Sequence, residues 1–160
     1  MELIERDSFL AAMRSQFEHV SNGEGRCVFI SGEAGIGKTT VIKTFCNEVK
    51  NKSNTYLGIC DALFTPRPLA PLYDVLLQLA KKIPEGNIDI TNRTAFFTNF
   101  LHELNDREKV NMIVFEDIHW ADEATLDFIK FLARRITQLN VFLYLLTGIL
   151  NFIPVILYET

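Results

Sequence analysis

The stretch Gly32-Glu33-Ala34-Gly35-Ile36-Gly37-Lys38-Thr39, followed by Thr40, decides the reading of this chain. It fits G-x-x-x-x-G-K-[ST], a loop that cradles phosphates. Its glycines let the backbone turn and bring N–H groups against phosphate oxygens. Lys38 supplies a point charge for the β- and γ-phosphates. Thr39 supplies a hydroxyl for a magnesium ion, and the helix that starts there turns its positive dipole end toward the phosphates.

The flanks match what the loop requires. Arg26-Cys27-Val28-Phe29-Ile30-Ser31 is a short β-branched and aromatic run, so a strand leads in. Val41, Ile42, Phe45, Cys46 and Val49 recur at helical spacing, so a helix leads out.

With 160 residues, 48% of them hydrophobic, the chain is long enough for one domain with a real core. The net charge of −4 gives no basic footprint for nucleic acid. Cys27, Cys46 and Cys60 fall in expected strands or a helix without metal-ligand spacing, so they read as reduced buried thiols of a cytoplasmic protein. With charges at Glu2, Glu5, Arg6 and Asp7, the N-terminal stretch is not expected to be a signal peptide.

Taken in order, the chain alternates strands and helices. The first helix is expected after a cap at Asp7 or Ser8, with Phe9, Leu10, Met13, Phe17 and Val20 inward. Beyond the phosphate-loop helix, 51–54 reads as a polar loop and 55–60 as a second strand. Three prolines in 64–71 demand an extended loop. Leu72, Val75, Leu76, Leu79, Ala80 and Ile83 then fit a helix, and 92–104 a further one with Phe96, Phe97, Phe100, Leu101 and Leu104 inward. A third strand, 110–115, runs into Glu116-Asp117. A helix over 123–136 with Leu126, Ile129, Leu132 and Ile136 on one face follows, then a fourth strand over 141–146. Such an order predicts an α/β fold with a mostly parallel sheet and helices on both faces. Ligands of such sheets lie at the carboxyl ends of the strands, where both the loop and Glu116-Asp117 fall.

An apolar strand ending in paired acids suits nucleotide chemistry. One carboxylate holds magnesium, directly or through water, and the other polarises the attacking water. Either acid can take either role. By position Glu116 is the metal-side acid and Asp117 the water-side one.

The chain resembles the amino-terminal part of the nucleotide-binding domain of the AAA-like signal-transduction ATPases (STAND), found in large ATP-binding transcription regulators and in cyclase- or kinase-fused modules. The resemblance rests on Ile4-Glu5-Arg6-Asp7, on the stretch from Ser31 to Thr39, on Thr65-Pro66-Arg67-Pro68-Leu69-Ala70-Pro71-Leu72, and on Phe115-Glu116-Asp117-Ile118-His119-Trp120-Ala121-Asp122-Glu123-Ala124-Thr125-Leu126. One departure is Glu5, where the family usually has glycine. The resemblance implies a P-loop NTPase three-layer sandwich with ATP as nucleotide and magnesium as metal. It also implies a nucleotide-dependent switch that works with protein partners or by self-association.

Three further features have a chemical and a plain reading. His119 would sense a γ-phosphate or orient water, or would pack the loop with Trp120 against the next helix. Arg67 would contact phosphate or a partner, or be solvated. Arg134 and Arg135 suit a helix C-terminus better than an arginine finger.

No arginine or lysine follows Arg135, where the family usually carries a sensor and a lid. The expectation is therefore a core over 1–147 and an apolar tail over 148–160 from a truncated or frame-altered reading frame, with weak or no hydrolysis. The uncharged run 141–158 is long enough for a membrane span, but Gly148, Asn151 and Pro154 interrupt it and no basic flank orients it. The competing functional readings are a non-catalytic interaction module and an origin-recognition type of replication ATPase.

Overall fold

The computed structural model describes residues 3–32, 37–61, 68–79, 91–105 and 108–148. Its elements are α1 (Leu3–Ser21), β1 (Arg26–Ser31), α2 (Lys38–Glu48), β2 (Ser53–Ile59), α3 (Ala70–Leu79), α4 (Arg93–Asn105), β3 (Val110–Glu116), α5 (Glu123–Arg135) and β4 (Val141–Thr147). Short 3-10 turns fill Ile118–Trp120 and Ile136–Gln138.

The four strands form one sheet in the order β1-β4-β3-β2, every pair parallel. The expected α/β architecture is therefore present. The inner strands β3 and β4 are covered on both faces, which explains their near-continuous apolar sequence.

Alternation along these strands sorts the core into two layers. Met112, Val114, Phe142, Tyr144 and Leu146 meet Leu10, Met13, Phe17 and Val20 of α1 and Val41, Ile42 and Phe45 of α2. Ile113, Phe115, Val141, Leu143 and Leu145 meet α3, α4 and α5 on the other face. There Phe97 and Phe100 of α4 pack edge-on against Phe128 of α5, with ring centroids 5.0 and 4.7 Å apart. Gly25, just before β1, lies against the 3-10 turn that follows α5: an added Cβ would sit 2.7 Å from the Leu139 carbonyl oxygen and closer still to that of Ile136.

Several boundaries differ from the sequence reading. Helix α1 already runs from Leu3, so Asp7 and Ser8 lie inside it and do not cap it. Arg6 in its first turns donates to Thr44 Oγ1 of α2 at 2.9 Å, a tertiary tie that no local pattern reveals. Strand β2 begins at Ser53, because pairing with Val110 and Asn111 extends it into the polar segment. Helix α3 takes in Ala70 and Pro71, since proline is compatible with a first helical turn. In α5 the buried positions include Phe128 and not Leu126, which is only half-buried. The stop at 84–87, Ala80, Ile83, Arg67 and the tail from 149 on lie outside the described residues. Among the described residues no helix is long and apolar enough to cross a membrane.

Candidate functional site

The carboxyl ends of β1, β4 and β3 stand side by side, and the site is built on them. Ser31 at the end of β1 is in register with Thr147 at the end of β4. The next N–H, that of Gly32, donates to the Thr147 carbonyl at 3.2 Å. The phosphate loop thus leaves the sheet from a fixed point. Its residues Glu33, Ala34, Gly35 and Ile36 lie outside the described residues.

The loop returns at Gly37, whose φ of 93° is left-handed backbone that a side chain would strain. Helix α2 starts at once, and its N-terminal N–H groups provide the positive end of the dipole. Lys38 folds back so that its Nζ donates to the Gly32 carbonyl at 2.6 Å. The ammonium therefore bridges the two ends of the loop. Thr39 is half-buried and Thr40 exposed. The Thr40 carbonyl accepts from Thr44 Oγ1 at 2.9 Å, the same hydroxyl that receives Arg6. An exposed Arg14–Glu48 ion pair, Nε to Oε1 2.5 Å, adds a second tie between α1 and α2.

On the other side Glu116 ends β3 half-buried, and Asp117 follows exposed. Asp117 has φ 53° and ψ 45°, a left-handed conformation that aspartate tolerates better than most residues. The chain then winds through a tight turn closed by Trp120 N–H to the Asp117 carbonyl at 2.9 Å. Ile118 is buried and anchors that turn.

Asp122 caps α5. Its Oδ2 accepts from the Thr125 N–H at 3.0 Å, and its Oδ1 accepts from the Thr125 hydroxyl. The same Oδ2 accepts from the Leu69 N–H at 3.2 Å, tying the start of α3 to the acidic loop. The carboxylates of Asp61, Asp117 and Asp122 lie near the buried Cys60 thiol, which burial first and these charges second push up to about 12.

His119 and Trp120 differ from the packing expectation. Trp120 is 53% exposed and its ring lies against that of His119, with the two ring centroids 5.3 Å apart. His119 instead reaches Thr147, with Nδ1 3.1 Å from Oγ1. Arg135 stacks on Phe131, 3.8 Å from the ring centroid, and donates to the Phe131 carbonyl at 3.0 Å. Sequence reasoning missed Thr147 and the anchoring role of Asp122. Their signals were a lone polar residue closing an apolar strand and an Asp-x-x-Thr cap.

Among the described residues no three His, Cys, Asp or Glu side chains cluster as a metal cage. Magnesium held between phosphates and one or two protein oxygens needs no such cage. The groups present fit a nucleotide with its magnesium. The left-handed Gly37 frees the backbone, Lys38 folds back on Gly32, Thr39 lies in the first turn of α2, and Glu116 ends β3 with Asp117 following it. An open groove of about 570 Å³ along the outer side of β2, lined by Lys50, Thr55 and Gln78 among others, is remote from these residues.

A parallel sheet with this loop, lysine and acidic strand end defines a phosphate-loop NTPase. The chain belongs to the AAA ATPase domain family, whose model matches residues 2–144. Solved structures that resemble it include Cdc6p from Pyrobaculum aerophilum, at TM-score 0.67 and 16% identity over 92% of this chain and 40% of that one. Drosophila ORC bound to DNA gives TM-score 0.66 and 14% identity over 92% and 38%. C. elegans PCH-2 gives 0.63 and 11% over 99% and 41%. At these identities the likeness shows the fold alone, and the chain spans about 40% of the first of them. No curated protein matches the sequence.

Proposed function

We propose that this chain binds Mg-ATP and acts as a nucleotide-dependent switch of the AAA-like signal-transduction type, turning ATP over slowly or not at all. The observation that carries this reading is the closure of the loop ends by Lys38 on Gly32, at the start of α2 and beside the acidic end of β3. In this reading the loop from Gly32 to Thr40 wraps the phosphates, and the N–H groups beyond Gly32, whose own N–H is held by Thr147, bind them together with the Lys38 ammonium. Thr39 and Glu116 hold magnesium, and Asp117 polarises water. ATP and ADP are then the small-molecule partners, and proteins or further copies of the chain the macromolecular ones.

One observation favours a second reading, a module that works mainly by binding a protein. Ile59 and Trp120 are exposed at the same sheet edge, at 44% and 53%. The intact Lys38 and Thr39 favour the first reading. The net charge of −4 argues against direct contact with nucleic acid, the activity of the DNA-bound structural relatives.

Titration of the purified chain with labelled ATP, with and without magnesium, separates the two. The first reading expects saturable, magnesium-strengthened binding that Lys38→Ala abolishes while the thermal melt stays near that of the wild type. Equal ATP affinity in wild type and Lys38→Ala overturns it.

A further inference from the structure

Among the described residues β2 is the last strand on its side of the sheet. Its ladder to β3 continues past both ends, with the Val110 N–H donating to the Lys52 carbonyl at 3.2 Å and the Cys60 N–H to the Glu116 carbonyl at 3.1 Å. Even-numbered residues therefore turn their backbone groups toward β3, and Ser53, Thr55, Leu57 and Ile59 turn theirs outward. Such an edge pairs with another strand unless something blocks it, commonly a charge, a proline or a bulge. Ser53-Asn54-Thr55-Tyr56-Leu57-Gly58-Ile59 carries neither charge nor proline, and its register with β3 runs unbroken from Ser53 to Ile59.

The block is a side chain of α3. Gln78 Oε1 accepts from the Leu57 N–H and Gln78 Nε2 donates to the Leu57 carbonyl, both at 2.9 Å. One amide thus meets both outward groups of one residue, as a hydrogen-bonded partner does in an antiparallel ladder. Among the described residues nothing else hydrogen-bonds the outward backbone of β2. Toward the start of the strand the edge is open, where the groove of about 570 Å³ runs along Ser53, Asn54, Thr55 and Tyr56. We infer that Gln78 closes a strand-pairing surface, and that the partner this surface fits is β2 of a second copy of this chain. A two-fold axis at Leu57 sets Leu57 opposite Leu57 and Thr55 opposite Ile59, and every opposed pair exchanges both bonds. The strand is its own complement there. No like charges meet, and the exposed Ile59 gains a β-branched cross-strand neighbour. Gln78 has to leave Leu57 before the axis can form, so its amide holds the two copies apart.

Gln78→Ala and Gln78→Met both remove the amide and keep a good helix former, and the methionine also keeps the length. Gln78 is exposed, so both variants are expected to fold, and if one does not, the other decides. Sedimentation velocity of the full chain without nucleotide, at several concentrations, reads self-association. Amide hydrogen exchange followed by NMR reads Leu57. Both variants are expected to self-associate at least about tenfold more tightly than the wild type. In dilute solution their Leu57 amide is expected to exchange at least about tenfold faster than in the wild type, and to slow again at concentrations where the copies pair. Thr55→Lys added to Gln78→Ala puts a charge on the edge and is expected to return self-association to the wild-type level. Wild-type self-association in both Gln78 variants overturns the inference. So does association that leaves the Leu57 amide exchanging fast or that survives Thr55→Lys. Unchanged Leu57 exchange in the dilute variants overturns it as well, since Gln78 would then not hold the edge. None of these outcomes depends on ATP, because the groove and Gln78 are remote from the phosphate loop.

Discussion

Asp122 and Leu69 are hydrogen-bonded, carboxylate to backbone N–H at 3.2 Å, across 53 residues of sequence. Leu69 is buried and has φ 63°, left-handed backbone that a leucine adopts at a cost of about 1–2 kcal/mol. One carboxylate thus caps α5 and holds the strained residue that opens α3.

Asp122→Ala removes the cap and leaves the Leu69 N–H without its acceptor. A lost cap costs about 1 kcal/mol and an unsatisfied buried donor about 1–3, so the expected loss is about 2–4 kcal/mol in urea unfolding. Asp122→Asn keeps an acceptor and should lose less. Equal losses in both variants would show that charge, and not the hydrogen bonds, is what matters.

The two acids should separate by their effects. Asp117→Asn keeps a residue suited to left-handed backbone, so it should fold normally, bind Mg-ATP and lose whatever turnover the wild type has. Glu116→Gln should weaken the magnesium dependence of binding, because a neutral amide is a poorer ligand for a hard cation. Phosphate release and ATP titrations at several magnesium concentrations check both. Unfolding in both variants would make the pair structural.

Tyr144 lies at the middle of β4, fully buried and stacked on Phe142 with centroids 4.4 Å apart, and its hydroxyl has no hydrogen-bond partner among the described residues. Burial pushes its ionisation upward. A hydroxyl taken out of water without a partner opposes folding. Tyr144→Phe should therefore leave stability unchanged or raise it by about 1 kcal/mol. A loss of that size in thermal or urea unfolding would reveal a partner for the hydroxyl.

The cysteines should be slow to alkylate. Burial pushes the Cys27 and Cys60 thiols up to about 12, and raises Cys46 as well. At pH 8 a thiol of pKa 12 is about one part in ten thousand thiolate, against about a quarter for a free cysteine. Iodoacetamide should label the folded chain at least about a hundredfold more slowly than the chain in urea. Rapid labelling of Cys60 in buffer would show that the end of β2 opens, since that thiol is 3% exposed.

Local order was legible because local forces set it. Period-two and helical spacing of apolar residues placed every strand and helix of the described chain within a few residues, and the loop glycines marked a turning backbone before Lys38. Spacing shows which face of an element is buried, but not what lies against it. That Thr147 stands beside Gly32 depends on β4 entering between β1 and β3, a choice made by packing of two helical layers against the sheet. The same holds for Arg6 on Thr44, for Asp122 on Leu69, and for the exposure of Trp120. Hydrogen bonds between residues 28 to 53 positions apart carry no periodic trace in the sequence. The sequence by itself determined the phosphate loop, the acidic strand end and the layering of the fold. Only the tertiary structure decided that Thr147 and His119 lie between the first two, because that contact exists only once the strand order is set.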